Sequence, residues 1–182
     1  DLYRINLGWA NQRGNQPPGF MLDLERGYWS RNQADDEDQD DATAQGRLQR
    51  VVPYVKDSKN ALVMRFEPNR TRAETASLQA AFKEAIQSHF QLESRELSCE
   101  PMPSPQDRQA ILFYEASEGG AGVLRQLAED PVVLPLLARR ALEICHFDPV
   151  TLEDKGVHTC GKACYECLLD YGNQPDHREL DR

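Results

Sequence analysis

The sequence predicts an α+β fold: a mostly antiparallel sheet covered by helices, with a small C-terminal four-cysteine lobe. The expected boundaries are an α+β domain over 1–144 and a lobe over 145–182 packed on it. Three observations carry this reading. Short stretches near the N-terminus alternate apolar and polar residues, which is the period of a half-buried strand. Two longer stretches repeat apolar residues at helical spacing. Four of the five cysteines fall between positions 145 and 167.

The elements follow in order. "LYRIN" and "FMLDL" alternate as strands do, and "NQRGNQPPG" between them is turn chemistry. Residues 31–50 read as a disordered acidic insertion. "VVPYVKDSKNALVMRF" reads as two strands joined at "KDSKN", an antiparallel hairpin with a four- or five-residue loop. Thr71-Arg72-Ala73-Glu74 has the form of a capping box, in which hydroxyl and carboxylate satisfy N–H groups left free at a helix start. Leu78, Phe82, Ala85, Ile86 and Phe90 then make one apolar helical face. "FQLESRELS" at 90–98 is expected to be a strand and "CEPMPSPQD" a loop. "AILFYEA" at 110–116 has the compact apolar run of a buried central strand. "SEGGAGVLRQLAED" is a glycine turn opening a short helix, and Asp130-Pro131 begins another. On that last helix Leu134, Leu137, Ala138, Ala141, Leu142 and Cys145 form one stripe.

Bulk composition bounds the function. At 182 residues and 40% hydrophobic content the chain is ample for a real core. The opening "DLYRINLGWA" reads as part of a longer polypeptide. There is no basic segment followed by an apolar run, so a cytoplasmic protein is expected. No apolar stretch approaches the roughly 20 residues of a membrane-spanning helix, so no membrane partner is expected. The net charge is −9, and the run "DDEDQDD" at 35–41 holds six of the acids, leaving −3 for the remainder. A dominant nucleic-acid footprint needs a basic face, and no long Lys/Arg cluster is present.

Cys145, Cys160, Cys164 and Cys167 have the spacing C-x14-C-x3-C-x2-C. Zinc takes four thiolate or imidazole ligands at tetrahedral corners, and a C-x2-C turn supplies two of them. Gly161 permits the bend that returns Cys160 over Cys164 and Cys167, and Cys145 supplies the fourth ligand. His146 and His158 are the substitutes if Cys145 is not a ligand. Other readings of the same residues are a redox C-x2-C pair, which expects a thioredoxin-like context missing here, and plain burial of Cys145. A disulfide expects an oxidising compartment. A zinc deaminase needs H-x-E and P-C-x-x-C; His146-Phe147-Asp148 and Ala163-Cys164-Tyr165-Glu166-Cys167 lack both the glutamate and the proline. Cys99 has no assigned role.

Gly119, Gly120 and Gly122 in "FYEASEGGAGVL" lie between a strand and a helix, where free N–H groups can face an anion. The Lys-Ser/Thr of a P-loop is absent, and the competing reading is a tight turn with close backbone packing. Glu115 and Glu118 read as solvated turn acids, and no residue is assigned a catalytic role.

The order strand, "YEASEGGAGVL", helix, Cys145, "TCGKACYECLLDYGNQPDHRELD" resembles the MrfA-type zinc-binding domain, found at the C-terminal end of large superfamily-two DNA helicases and in DISARM-related antiphage proteins. "YVKDSKNALVMRF" and "TASLQAAFKEAIQSHFQLE" extend the likeness to about residues 51–182. The resemblance implies one zinc on four cysteines, with Cys160, Cys164 and Cys167 carried over by motif position. A further family cysteine before "GN" is replaced by Tyr171, so Cys145 completes the set. Asn173, Leu180 and Asp181 match the closing "GN…LD" phrase as packing and turn residues.

What the resemblance implies about function is an accessory role in a large ATP-dependent DNA helicase of DNA repair or antiphage defence. Its partners would be the helicase motor domains of the same polypeptide, DNA through the parent protein, and a repair- or defence-system protein. The chain itself carries no G-x-x-x-x-G-K-[ST], so it is not expected to be an enzyme alone. The alternative is a stand-alone zinc-stapled adaptor that binds protein and never touches nucleic acid.

Overall fold

In the computed structural model, which describes residues 1–8, 17–30, 48–117, 119–156 and 160–182, both alternating N-terminal stretches become strands. The chain divides into two units, Asp1–Ser58 and Lys59–Arg182. In the first, β1 (Leu2–Ile5) pairs antiparallel with β5 (Tyr54–Asp57), placing Leu2 opposite Asp57. A second sheet has the order β3-β2-β4, from β2 (Phe20–Asp23), β3 (Trp29–Ser30) and β4 (Leu48–Val51). Met21 is buried, and the Phe20 and Trp29 rings meet edge to face at 5.5 Å. The acidic insertion expected over 31–50 lies outside the described residues for 31–47. Its last three positions belong to β4.

The second unit holds β6 (Ala61–Arg65), α1 (Arg72–Phe90), β7 (Leu97–Pro103), β8 (Arg108–Glu115), α2 (Val123–Glu129), α3 (Val133–Ile144) and a 3₁₀ turn over Tyr171–Asp176. The antiparallel sheet has the order β6-β8-β7. Central β8 buries Ile111 and Phe113 on one face and Ala110 and Tyr114 on the other, as its unbroken apolar run predicts. Helix α1 packs on β7 and β8, α2 on β6 and β8, and α3 on α1. Ala76, Ala80, Ala81 and Ala85 keep the buried side of α1 slim, while Phe82 and Ile86 fill the space beside them. Burying a side chain such as Ile86 or Phe113 contributes about 1.5–3 kcal/mol. Cys145, Cys167, Leu168 and Leu180 join the same core, so the cysteine segment is built onto the helices.

The capping box forms as read. Glu74 N–H donates to the Thr71 hydroxyl at 3.3 Å, and the Glu74 carboxylate accepts the Thr71 N–H at 2.8 Å. Four other expectations need correction. The hairpin across "KDSKN" does not form, because β5 pairs with β1 and β6 with β8. The joining residues serve the glycine turn instead: Asn60 donates to Glu115, and the Lys59 ammonium bonds the Ala116 carbonyl. The strand expected at 90–98 starts at Leu97, because Gln91 takes a left-handed conformation (φ 56°) that ends α1. Pro101 and Pro103, read as loop residues, lie in β7, an edge strand where a missing N–H costs no ladder bond. Finally, α3 begins at Val133, with the Asp130 carboxylate accepting the Val132 N–H at 2.9 Å. Its buried positions are Val133, Leu137 and Ala141, and Leu134 is exposed.

Glu115 is the largest departure from its expected setting. It is buried rather than solvated, with 2% of its surface exposed. Its carboxylate accepts N–H groups from Gly122 at 3.0 Å and Leu124 at 2.9 Å, and the Asn60 amide at 3.1 Å. Burial disfavours its charge, yet these donors outweigh that cost and hold the carboxyl below its usual range. An internal carboxylate thus fills the anion position that the glycine turn offered, which favours the tight-turn reading. Glu118 lies outside the described residues. At the other end of β8 the buried Arg108 guanidinium grips the Asp176 carboxylate at 2.7 and 2.6 Å and the Gln79 side chain at 3.1 Å. This ties the 3₁₀ turn to the sheet.

The turn generates a prediction. A Cβ on Gly120 (φ +61°) would stand 1.8 Å from Glu115 Oε2, a side chain pinned by three donors. A Cβ on Gly119 (φ +79°) meets nothing within 4 Å. Gly119→Ala should therefore cost only the backbone strain of about 1–2 kcal/mol, and Gly120→Ala clearly more. Denaturant unfolding of both variants checks the order; equal losses would show that the Glu115 contact does not matter.

Candidate metal centre

The buried stripe Val133, Leu137, Ala141 advances by one helical step to Cys145, which is buried in its turn. Its N–H still bonds the Ala141 carbonyl at 2.9 Å. The chain then reverses. His146 takes a left-handed conformation at φ 66°, its N–H bonds Glu143 O at 3.1 Å, and Phe147 N–H reaches back to Leu142 O at 2.8 Å. These two bonds make a Schellman helix end. Histidine is among the residues enriched in the left-handed region. The consequence is a division of labour between neighbours: Cys145 stays on the helix stripe, and the His146 ring reaches the other cysteines.

Cys160, Cys164 and Cys167 are brought together by a second turn. The Cys164 carbonyl accepts N–H groups from Cys167, Leu168 and Leu169 at 3.0–3.1 Å. Cys164 N–H donates to Cys167 Sγ at 3.0 Å. Cys167 and Leu168 are buried in the core, so this turn is anchored from beneath.

His146, Cys160, Cys164 and Cys167 present one ligand atom each, all within 4.8 Å of one another. Cys160 and Cys167 sulfurs are 3.8 Å apart, Cys164 and Cys167 sulfurs 3.5 Å, and His146 Nε2 lies 3.3 Å from Cys164 Sγ. Corners of a tetrahedron with zinc–sulfur bonds of ~2.3 Å are separated by about 3.8 Å, and nitrogen corners by slightly less. The observed separations fit that polyhedron, and four protein ligands complete it.

Burial and mutual proximity oppose ionisation of most of this cluster. Burial pushes the Cys167 thiol up to about 12, with the neighbouring thiols adding to the effect. Burial also raises Cys160. Cys164 is the exception: burial opposes its thiolate, but N–H groups of Glu166 and Cys167 and the adjacent thiols outweigh that and lower it. Three thiolates at this spacing would repel one another, and a divalent metal, if bound, would remove that conflict.

The expected ligand Cys145 is not in the group of four. Its place is held by His146, the substitute named from sequence. Burial pushes the Cys145 thiol up to about 11, the behaviour of a small buried side chain in the core. The physical reason is helix phase: position 145 continues the 133–137–141 stripe, whereas 146 is released by the left-handed turn. The other substitute, His158, lies outside the described residues. Cys99 sits opposite Phe113 in β7, and burial raises its thiol too. Asp148, weighed as a deaminase-like acid, accepts N–H groups from Thr151 and Val150 and closes its own turn.

Two features were invisible in the sequence. Arg182 bonds three carbonyls around the centre, at Cys145, Cys160 and Gly161. Asp154 pairs with it, and that hydrogen bond holds the Asp154 carboxyl down at about 2. No motif marks either residue. Asn173 and Leu180 do what their motif suggests: Asn173 accepts the Asp170 N–H and donates to Leu168 O, each at 2.8 Å, and Leu180 is buried.

A family model for the MrfA Zn-binding domain matches residues 78–168, half of the chain and a narrower span than the 51–182 of the resemblance. No curated protein and no solved structure matches the chain. Among the described residues, no helix is long and apolar enough to cross a membrane. The matched span includes most of α1, the buried β8, the Glu115 turn and all four clustered residues, and the chain belongs to the MrfA Zn-binding domain family.

Proposed function

We propose that this domain binds one zinc ion through His146, Cys160, Cys164 and Cys167, and that it is a structural accessory domain of a larger ATP-dependent DNA helicase. The observation that carries the metal reading is the tetrahedral spacing of three sulfurs and one imidazole nitrogen. Zinc, when bound, would cross-link the end of α3 to the 160–167 turn and contribute to folding rather than to chemistry, since protein ligands take every corner. The helicase setting rests on family membership and on the resemblance of the closing phrases. Within such a parent the domain would dock on the motor domains and help guide DNA in repair or antiphage defence. The net charge of −9 favours a second reading, a zinc-stapled adaptor that binds only protein. Motor motifs upstream in the same reading frame would decide for the helicase; a short separate frame would decide for the adaptor.

Purified domain should carry about one zinc per chain. Cys164→Ser and Cys167→Ser should lose the metal and unfold the 160–182 segment. His146→Ala should weaken zinc by at least about 100-fold, beyond what loss of an outer-shell partner costs, while Cys145→Ala keeps full stoichiometry. Competition with a chromogenic chelator reads all four, and the opposite ranking of the 145 and 146 variants would return Cys145 to the ligand set. The acidic balance also predicts that the isolated domain binds duplex DNA weakly and loses it as salt rises. A titration showing tight binding at physiological salt would contradict that surface.

A further inference from the structure

Arg182 is nearly buried, with 10% of its side chain exposed, yet it lies in no hydrophobic role. Its Nη1 donates to Cys145 O at 3.2 Å, Nη2 to Cys160 O at 3.1 Å, and Nε to Gly161 O at 3.2 Å. Nη2 also bonds the Asp154 carboxylate, and the guanidinium stacks over the Phe147 ring at 5.2 Å. Its backbone N–H donates to Lys162 O at 2.9 Å. One side chain therefore touches the carbonyl before His146, the ring after it, the carbonyl of Cys160, and the residue after that.

We infer that Arg182 is the positioning residue of the metal centre, clamping the His146 segment to the Cys160 segment. The inference rests on the zinc reading above and extends it. The physical reason is shape. The guanidinium offers five donors in a rigid fork, so it can hold carbonyls of both segments at once, which a single ammonium cannot. Asp154 orients the fork from the loop that follows His146. The isolated bridge between Phe147 and Asp154, with Lys155 N–H on His146 O at 2.9 Å, fixes that loop beside the ligand.

The test is zinc release from the whole chain into excess chromogenic chelator, well below the unfolding temperature. Arg182→Gln should release zinc about 10–100-fold faster than the parent chain, the usual cost of removing an outer-shell partner. Arg182→Lys, which keeps charge but not the fork, should fall between them. Asp154→Asn should show a smaller acceleration and serves if Arg182→Gln does not fold. Gly120→Ala, which weakens the fold without touching any residue of the centre, separates local from global effects. Release from Arg182→Gln at the parent rate, or equally fast release from Gly120→Ala, would overturn the clamp while leaving the zinc reading intact. A parent chain that holds no zinc would remove both.

Discussion

The zinc site proposed for the second unit sets one geometric requirement: three sulfurs and an imidazole nitrogen must approach within a few ångströms and stay there. Buried thiols resist ionisation, and adjacent thiolates repel, so ionising this cluster is unfavourable unless a cation sits among them. The fold supplies the approach by two reversals of the backbone. One is the left-handed His146 at the end of α3; the other is the turn closed by the Cys164 carbonyl. Neither reversal is a free loop. The first is continuous with a helix whose Leu137 is fully buried, and the second rests on Cys167 and Leu168 in the same core.

The remaining polar anchors of this unit follow a similar logic, in which each buried charge is matched locally. Glu115 gathers the N–H groups of the glycine turn, Arg108 gathers Asp176 and Gln79, and Arg182 gathers carbonyls of the ligand segments. No buried side-chain nitrogen or oxygen among the described residues lacks a partner. Such networks are costly when half satisfied and confer a single arrangement when complete. Here they fix the sheet edge, the 3₁₀ turn and the ligand segments relative to one core.

How far the sequence could be read depended on whether the deciding interaction was local. The Thr71–Glu74 cap, the Leu78–Phe82–Ile86 face and the apolar run of β8 are local signals, and the elements they predict are present. The α+β architecture and the clustering of Cys160, Cys164 and Cys167 follow from spacing alone. The failures came where distant residues decided. Asn60 and Lys59 are recruited by a turn more than fifty positions away, so "KDSKN" is no hairpin. Glu115 reads as an ordinary turn acid until its donors from α2 are seen. At 145–146 the choice between two adjacent ligand types turned on a single backbone dihedral. The 3.6-residue period of α3 places Cys145 inward, and that period was already visible; the left-handed step that frees His146 was not. Arg182 lies outside every motif because its partners are carbonyls, which leave no trace in residue identity.

The most direct measurement is zinc K-edge X-ray absorption on the purified, metal-loaded chain. The account predicts a first shell of three sulfur atoms near 2.3 Å and one nitrogen near 2.0–2.1 Å. A shell of four sulfurs would place Cys145 on the metal and deny the role given to His146. A shell containing water oxygen would contradict a closed structural site.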